Sequence, residues 1–214
     1  MTLWICGTGR CGTSSAAEEF GGVHEPEPYL LTYPFEWHAG MRQDEENLRQ
    51  LIRGRMKYQT CSDLLHSYII PLILEEDKDA KFLWLIRQPT FFCRSVMATE
   101  TWLNIGDYIP DVPPGKEPKT RLEAVALYWK NLNLLIGENL VRVRASRWEM
   151  MRTEDLKVHK NKLHAADDLV FTKKEQEVID SICIYDYIQY LGMIACQDDE
   201  PTWLTERRIP CDPT

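Results

Sequence analysis

The first twenty residues constrain the fold most. Residues 3–6 (Leu-Trp-Ile-Cys) form a short apolar run ended by glycine, which suits a buried strand. Gly7-Thr8-Gly9-Arg10-Cys11-Gly12-Thr13-Ser14 follows, and then a helix-compatible run to Phe20 that Gly21-Gly22 stops. A buried strand, a glycine-rich turn and a helix in succession make an anion site. Backbone N–H groups and the helix N-terminus face a phosphate, and the glycines let the backbone approach it. Gly7-x-x-x-x-Gly12 has the spacing of a P-loop, but the run continues Thr13-Ser14, without the expected lysine. That lysine normally serves β- and γ-phosphates beside a magnesium ion. Arg10, inside the loop, offers instead a planar guanidinium that can clamp an oxyanion.

The rest of the chain alternates strand and helix patterns. Residues 23–31 read as a proline-interrupted loop, 44–56 as a helix with Leu48, Leu51 and Ile52 on one side, and 57–61 as a short strand. Ser62 is expected to cap a helix to about Glu76, kinked at Pro71. Residues 81–86 are a second buried strand, followed by a helix to about Leu103. Residues 119–137 carry an apolar stripe through Leu122, Val125, Ala126, Trp129, Leu132 and Ile136, and 140–144 are a third strand candidate. Thr172-x-x-Glu175 is a capping-box pattern that opens a helix through Val178, Ile179, Ile182, Tyr185 and Leu191, ending at Gly192. The expectation is an α/β, three-layer, P-loop-like fold with a central, mostly parallel sheet flanked by helices. At roughly 150 residues per domain, residues 1–214 read as one domain, with a proline-rich loop at 105–118 and a polar tail at 198–214.

Charge narrows the partners. Against 25 Lys+Arg stand 33 Asp+Glu, a net charge of −8, so a basic face for nucleic acid is not expected. An anionic ligand must then be held by a few local cations and by backbone N–H groups. The seven cysteines include no Cys-x-x-Cys pair, and His38, His66, His159 and His164 show no metal spacing. Most of the cysteines read as small core residues in a reducing compartment. The start of the chain has no basic, then long apolar, pattern of a signal peptide, and no run approaches the roughly 20 apolar residues of a membrane span. The chain is expected to be cytoplasmic, with no membrane and no nucleic-acid partner.

A second anion site is suggested by Arg87, which follows the strand at 81–86, and by Ser95 eight residues on. A strand-end arginine and a hydroxyl one or two turns into the next helix can share one phosphate.

Together these sites resemble the PAPS-dependent sulfotransferase family. Gly9-Arg10-Cys11-Gly12-Thr13-Ser14 is similar to its 5′-phosphosulfate loop. Arg87-Gln88-Pro89 with Ser95 is similar to its 3′-phosphate motif, and Arg147-Trp148-Glu149-Met150-Met151 to its Arg-Tyr-Glu-Asp-Leu segment. The resemblance covers residues 2–192, and the two phosphate motifs are its specific part. Cys11 stands where serine is usual, Phe91 where many members have an acid, and Arg10 where the cytosolic branch has lysine.

The resemblance implies PAPS as donor, PAP (3′,5′-ADP) as product, no metal, and a small-molecule or carbohydrate acceptor. The donor-binding set would be Gly9, Arg10, Cys11, Gly12, Thr13, Ser14, Arg87 and Ser95. Arg10 and the loop amides would steady the leaving phosphate. The general base would come from His24-Glu25-Pro26-Glu27, with Glu25 first and His24 and Glu27 as alternates. Trp102 reads as core and Arg207-Arg208 as a surface turn. Residues 24–43 and 105–118 are the acceptor loops. Two other readings share the first loop: a P-loop kinase of a small metabolite, and a non-catalytic nucleotide-binding protein.

Overall fold

The strand at the N-terminus buries both of its faces, and this organises the molecule. β1 (Leu3–Gly7) is buried along its whole length. Trp4 and Cys6 face one apolar cluster, while Leu3 and Ile5 face another with Ala16 and Phe20. β4 (Lys81–Ile86) repeats this period of two, with Phe82, Trp84 and Ile86 on the first side and Leu83 and Leu85 on the second. Strands covered on both faces are read as near-continuous apolar runs, which is why these two were visible in the sequence.

The computed structural model describes residues 1–25, 45–99, 109, 110, 112, 114–157 and 169–197. Among them five strands form one sheet in the order β2-β3-β1-β4-β5, and every pair is parallel. β2 is Val23–His24, β3 is Thr60–Ser62 and β5 is Trp148–Arg152. Leu3 pairs with Lys81 and Gly7 with Leu85, so β1 and β4 end level with each other. On one face lies α1 (Thr13–Glu19). On the other pack α2 (Glu45–Arg55), α3 (Ile70–Glu76), α4 (Pro89–Met97), α5 (Arg121–Leu140) and α6 (Lys173–Gln197). This is the expected three-layer α/β arrangement with a parallel sheet.

Several boundaries differ from expectation. Residues 140–144 are not a strand: Leu140 closes α5 as a buried residue, and β5 begins only at Trp148. The apolar pair Leu140 and Val143 packs on the core from a helix end and a turn, a burial that periodicity over five residues cannot distinguish from a strand. Ser62 is not a helix cap but the last residue of β3. Asp63 takes the capping role, its carboxylate accepting from Leu65 N–H at 2.9 Å over a 3₁₀ turn, Leu64–Ser67. Pro71 does not kink a long helix; it sits in the first turn of α3, where its missing N–H removes no hydrogen bond. His24, within the segment read as loop, pairs with Ser62 at the sheet edge.

α4 ends at Met97, and α6 runs past Gly192 with Tyr185 exposed and Tyr187 and Tyr190 turned inward instead. The expected capping box forms at Thr172 with Glu175, and a second, not singled out in the sequence, forms at Thr120 with Glu123. The tail at 198–214 and residues 105–108, 111 and 113 of the 105–118 loop lie outside the described residues. No helix among the described residues is long and apolar enough to cross a membrane.

Buried tryptophans tie the layers together. Trp84 Nε1 donates to Asn133 Oδ1 at 3.0 Å, and Trp129 Nε1 donates to the carbonyl of Arg87 at 2.9 Å. The second bond anchors the end of β4 to the central helix.

Beneath the end of β1 lies a buried polar network. Arg55 and Asp63 pair at 2.7 Å, and Arg55 Nη1 lies 2.9 Å from His66 Nε2. His66 Nδ1 lies 3.0 Å from Ile5 O. Arginine can only donate and a carbonyl only accept, so His66 carries its proton on Nδ1. Burial, and then the Arg55 charge, bring the imidazole down from 6.5 to about 4. The unfolded chain therefore takes a proton at a higher pH than the folded one. Stability is complete above about pH 6.5 and is lost as pH falls towards about 4. Unfolding by denaturant at pH 7 and pH 5 is expected to show a loss of about 2 kcal/mol. His66→Gln should flatten that difference; a wild-type difference that survives the substitution would refute the assignment.

Candidate functional site

The parallel sheet brings its C-terminal strand ends to one edge, where open α/β sheets bind ligands. Five short segments meet there: the glycine loop after β1, the end of β2, the 3₁₀ turn after β3, Arg87 after β4, and Thr153 after β5.

The loop is shaped by left-handed residues. Gly9, Arg10 and Gly12 have φ of 68°, 44° and 82°. Gly12 is the N-cap of α1 and has no side chain to bond the first helical N–H groups, so these remain for a ligand. Arg10 is a non-glycine residue in this region, and two contacts hold it. Arg87 Nη1 donates to the Arg10 carbonyl at 2.6 Å, and Arg10 Nε donates to Ser95 Oγ at 3.2 Å. Arg87 and Ser95 are buried, whereas Arg10 is exposed. The two motifs that the sequence placed 85 residues apart thus form one site. Ser95 Oγ thus already accepts from Arg10, which ties the loop to α4.

Cys11 has a different role from its neighbours. Its thiol is fully buried in the cluster with Leu3, Ile5, Leu83 and Leu85. Burial raises the thiol to about 11, against the opposing effect of Arg87. The Cys11 carbonyl accepts from Thr153 Oγ1 at 2.5 Å. Thr13 is mostly buried and Ser14 exposed at the helix start.

Three loop-fixing residues escaped the sequence reading. Ser67 Oγ accepts from Gly7 N–H at 2.8 Å and donates to Gly7 O at 2.7 Å, clamping the end of β1. Ser62 Oγ donates to Thr13 O at 2.9 Å. Thr153 is the third. Single hydroxyls carry no periodic or spacing signal. The one clue in the sequence was their position just after strand segments.

Glu25 and His24 sit at the same edge. Glu25 has φ 46°, and its N–H donates to Ser62 O at 2.9 Å. Ser62 therefore links Glu25 to the start of α1. β2 lies two strands from β1, so Glu25 stands roughly 10 Å across the edge from the loop. His24 Nε2 lies 3.6 Å from Glu25 Oε1, and each side chain is about a third exposed. Glu27, Trp37, His38, Trp102, Tyr108, His159, His164, Arg207 and Arg208 lie outside the described residues. Glu149 is buried in β5, opposite Leu83. Among the described residues no three His, Cys, Asp or Glu side chains converge as a metal site.

Comparison of the sequence with protein-family models and with curated proteins gives no match. Among solved structures, the chain is similar to a sulfotransferase domain from the curacin biosynthetic pathway. The identity is 14% over 89% of this chain and 73% of that one, with a TM-score of 0.40.

Proposed function

We propose that the protein is a sulfotransferase that moves a sulfuryl group from PAPS to a hydroxyl or amine of a small-molecule or carbohydrate acceptor, without a metal. The observation that carries this reading is the bond from Arg10 to Ser95, with Arg87 on the Arg10 carbonyl. It puts two guanidinium groups and an uncapped helix start around one loop. Arg10 forms no ion pair with a carboxylate among the described residues, so the charge of its guanidinium is available to an anionic ligand.

In this reading Arg87 and Ser95 recognise the 3′-phosphate, while Arg10 and the N–H groups of Gly12, Thr13 and Ser14 hold the 5′-phosphosulfate. As the sulfur–oxygen bond to the phosphate breaks, negative charge grows on the leaving oxygen. Donors already aimed at that oxygen stabilise it without reorganising. The acceptor oxygen or nitrogen forms the new bond to sulfur, and its proton passes to Glu25, with His24 beside it as the alternate base.

A kinase reading fits less well. It needs a loop lysine, and an acid for magnesium near the strand ends. The acid that follows β3 is Asp63, and Arg55 and the Leu65 N–H already engage its carboxylate.

Calorimetry with 3′,5′-ADP and with ATP plus magnesium separates these readings. Tight binding of 3′,5′-ADP without magnesium is the expected result, and preference for ATP with magnesium would overturn it. Glu25→Gln is expected to leave 3′,5′-ADP binding intact and to slow transfer by about a hundredfold or more. Unchanged transfer would remove Glu25 from the reaction. Normal 3′,5′-ADP binding with no transfer to any acceptor in a broad panel would favour a non-catalytic nucleotide-binding role.

A further inference from the structure

The opposite end of the sheet carries a second concentration of positive charge. A concavity of about 380 Å³ is lined by Met1, Lys78, Asp79, Lys81, Arg144 and Arg147. These residues precede or begin three adjacent strands. Met1 leads into β1, Lys81 opens β4, and Arg144 precedes and Arg147 ends the 3₁₀ turn before β5. The phosphate loop follows the other end of β1, about 16 Å away along the strand. Ligands of open α/β sheets gather at the C-terminal strand ends, so this concavity is not part of that crevice.

Its charge runs against that of the chain. The lining holds two lysines, two arginines and one aspartate, in a protein with a net charge of −8. Four cations against the single carboxylate of Asp79 leave the concavity with a net positive charge, which favours an anion in it. Arg147 is the informative member. Its Nε donates to Ala80 O at 2.9 Å, which fixes the guanidinium plane. Its Nη2 is buried and has no hydrogen-bond acceptor among the described residues. A buried guanidinium N–H requires an acceptor, and a bidentate oxyanion fits the planar fork. The resemblance of residues 147–151 to a known motif gives Arg147 no task at the phosphate loop. Its place at the far end of β5 frees it for another.

We propose that this concavity is a second anion site, which takes a compact small-molecule polyanion carrying two phosphate or sulfate groups. Arg147 and Lys81 hold one group at the floor, and the exposed Lys78 and Arg144 hold the other at the rim. The volume falls in the range of small-ligand sites, about 300–1,000 Å³. The proposal stands apart from the reading of the phosphate loop.

Inorganic pyrophosphate is the probe, titrated calorimetrically into the full chain at low ionic strength. Arg10→Ala weakens any competing binding at the loop. In that background a pyrophosphate site is expected to remain. Lys78→Glu with Arg144→Glu, both exposed, should weaken it at least tenfold without affecting folding. Arg147→Ala should weaken it similarly, and Arg147→Lys less. The affinity should also fall steeply with added salt. Loss of all pyrophosphate binding in Arg10→Ala alone, or a residual affinity indifferent to the Lys78 and Arg144 charge reversals, would overturn the site.

Discussion

Arg87→Ala is expected to weaken 3′,5′-ADP binding by about a hundredfold. A hydrogen bond to a charged group contributes about 1.5–3 kcal/mol, and each 1.4 kcal/mol is tenfold. The side chain also donates to the Arg10 carbonyl at 2.6 Å, which helps to hold Arg10 at its φ of 44°. Losing that bond loosens the loop as well as removing a ligand contact. The tie from Trp129 is to the Arg87 carbonyl, so it survives the substitution. Arg87→Lys should recover part of the affinity, because it keeps the charge and loses the fork. Calorimetric titration of the three proteins, each checked for stability by denaturant unfolding, tests this. A folded Arg87→Ala protein within threefold of wild type would exclude Arg87 from nucleotide recognition.

Gly7→Ala is expected to lower stability by about 2–3 kcal/mol and to abolish nucleotide binding. A methyl group at Gly7 would run into Cys11 Sγ and into the carbonyl of Leu85, the latter at 2.9 Å. Leu85 belongs to β4, whose backbone is paired on both sides, so that carbonyl cannot withdraw cheaply. The loop must move instead, away from the Ser67 hydroxyl that grips Gly7 on both its N–H and its carbonyl. Cys11→Ala in the Gly7→Ala background removes the sulfur contact and leaves the carbonyl one. It should therefore restore stability only in part. Denaturant unfolding and 3′,5′-ADP titration of the single and double variants measure both effects. A Gly7→Ala protein with wild-type stability and affinity would show that the loop is not tightly wedged here.

The parts of the fold legible in the sequence were those with dense local signals. β1 and β4 are unbroken apolar runs because helices cover both faces of the sheet. The apolar stripe of α5 and the capping box at Thr172 and Glu175 are likewise local signals, and both were legible. β2 and β3 escaped or shifted because two or three residues carry no periodicity, and their place in the sheet is decided by pairing with each other and with β1. The false strand at 140–144 arose from apolar residues that a helix end and a turn bury just as a strand would.

For the candidate site, the sequence by itself determined which chemistry was present: a glycine loop that can curl and two arginines, recognisable from residue type and spacing, and a glutamate to which the family resemblance pointed. Only the tertiary structure decided which of these groups meet. It joined Arg10 to Ser95, set Thr153 on the Cys11 carbonyl across 142 residues of chain, and buried the Cys11 thiol in the core. It also sent Arg147 to the opposite end of the sheet from the glycine loop. Such contacts depend on the order and direction in which parallel strands pair, and that order comes from packing between distant segments rather than from any local preference.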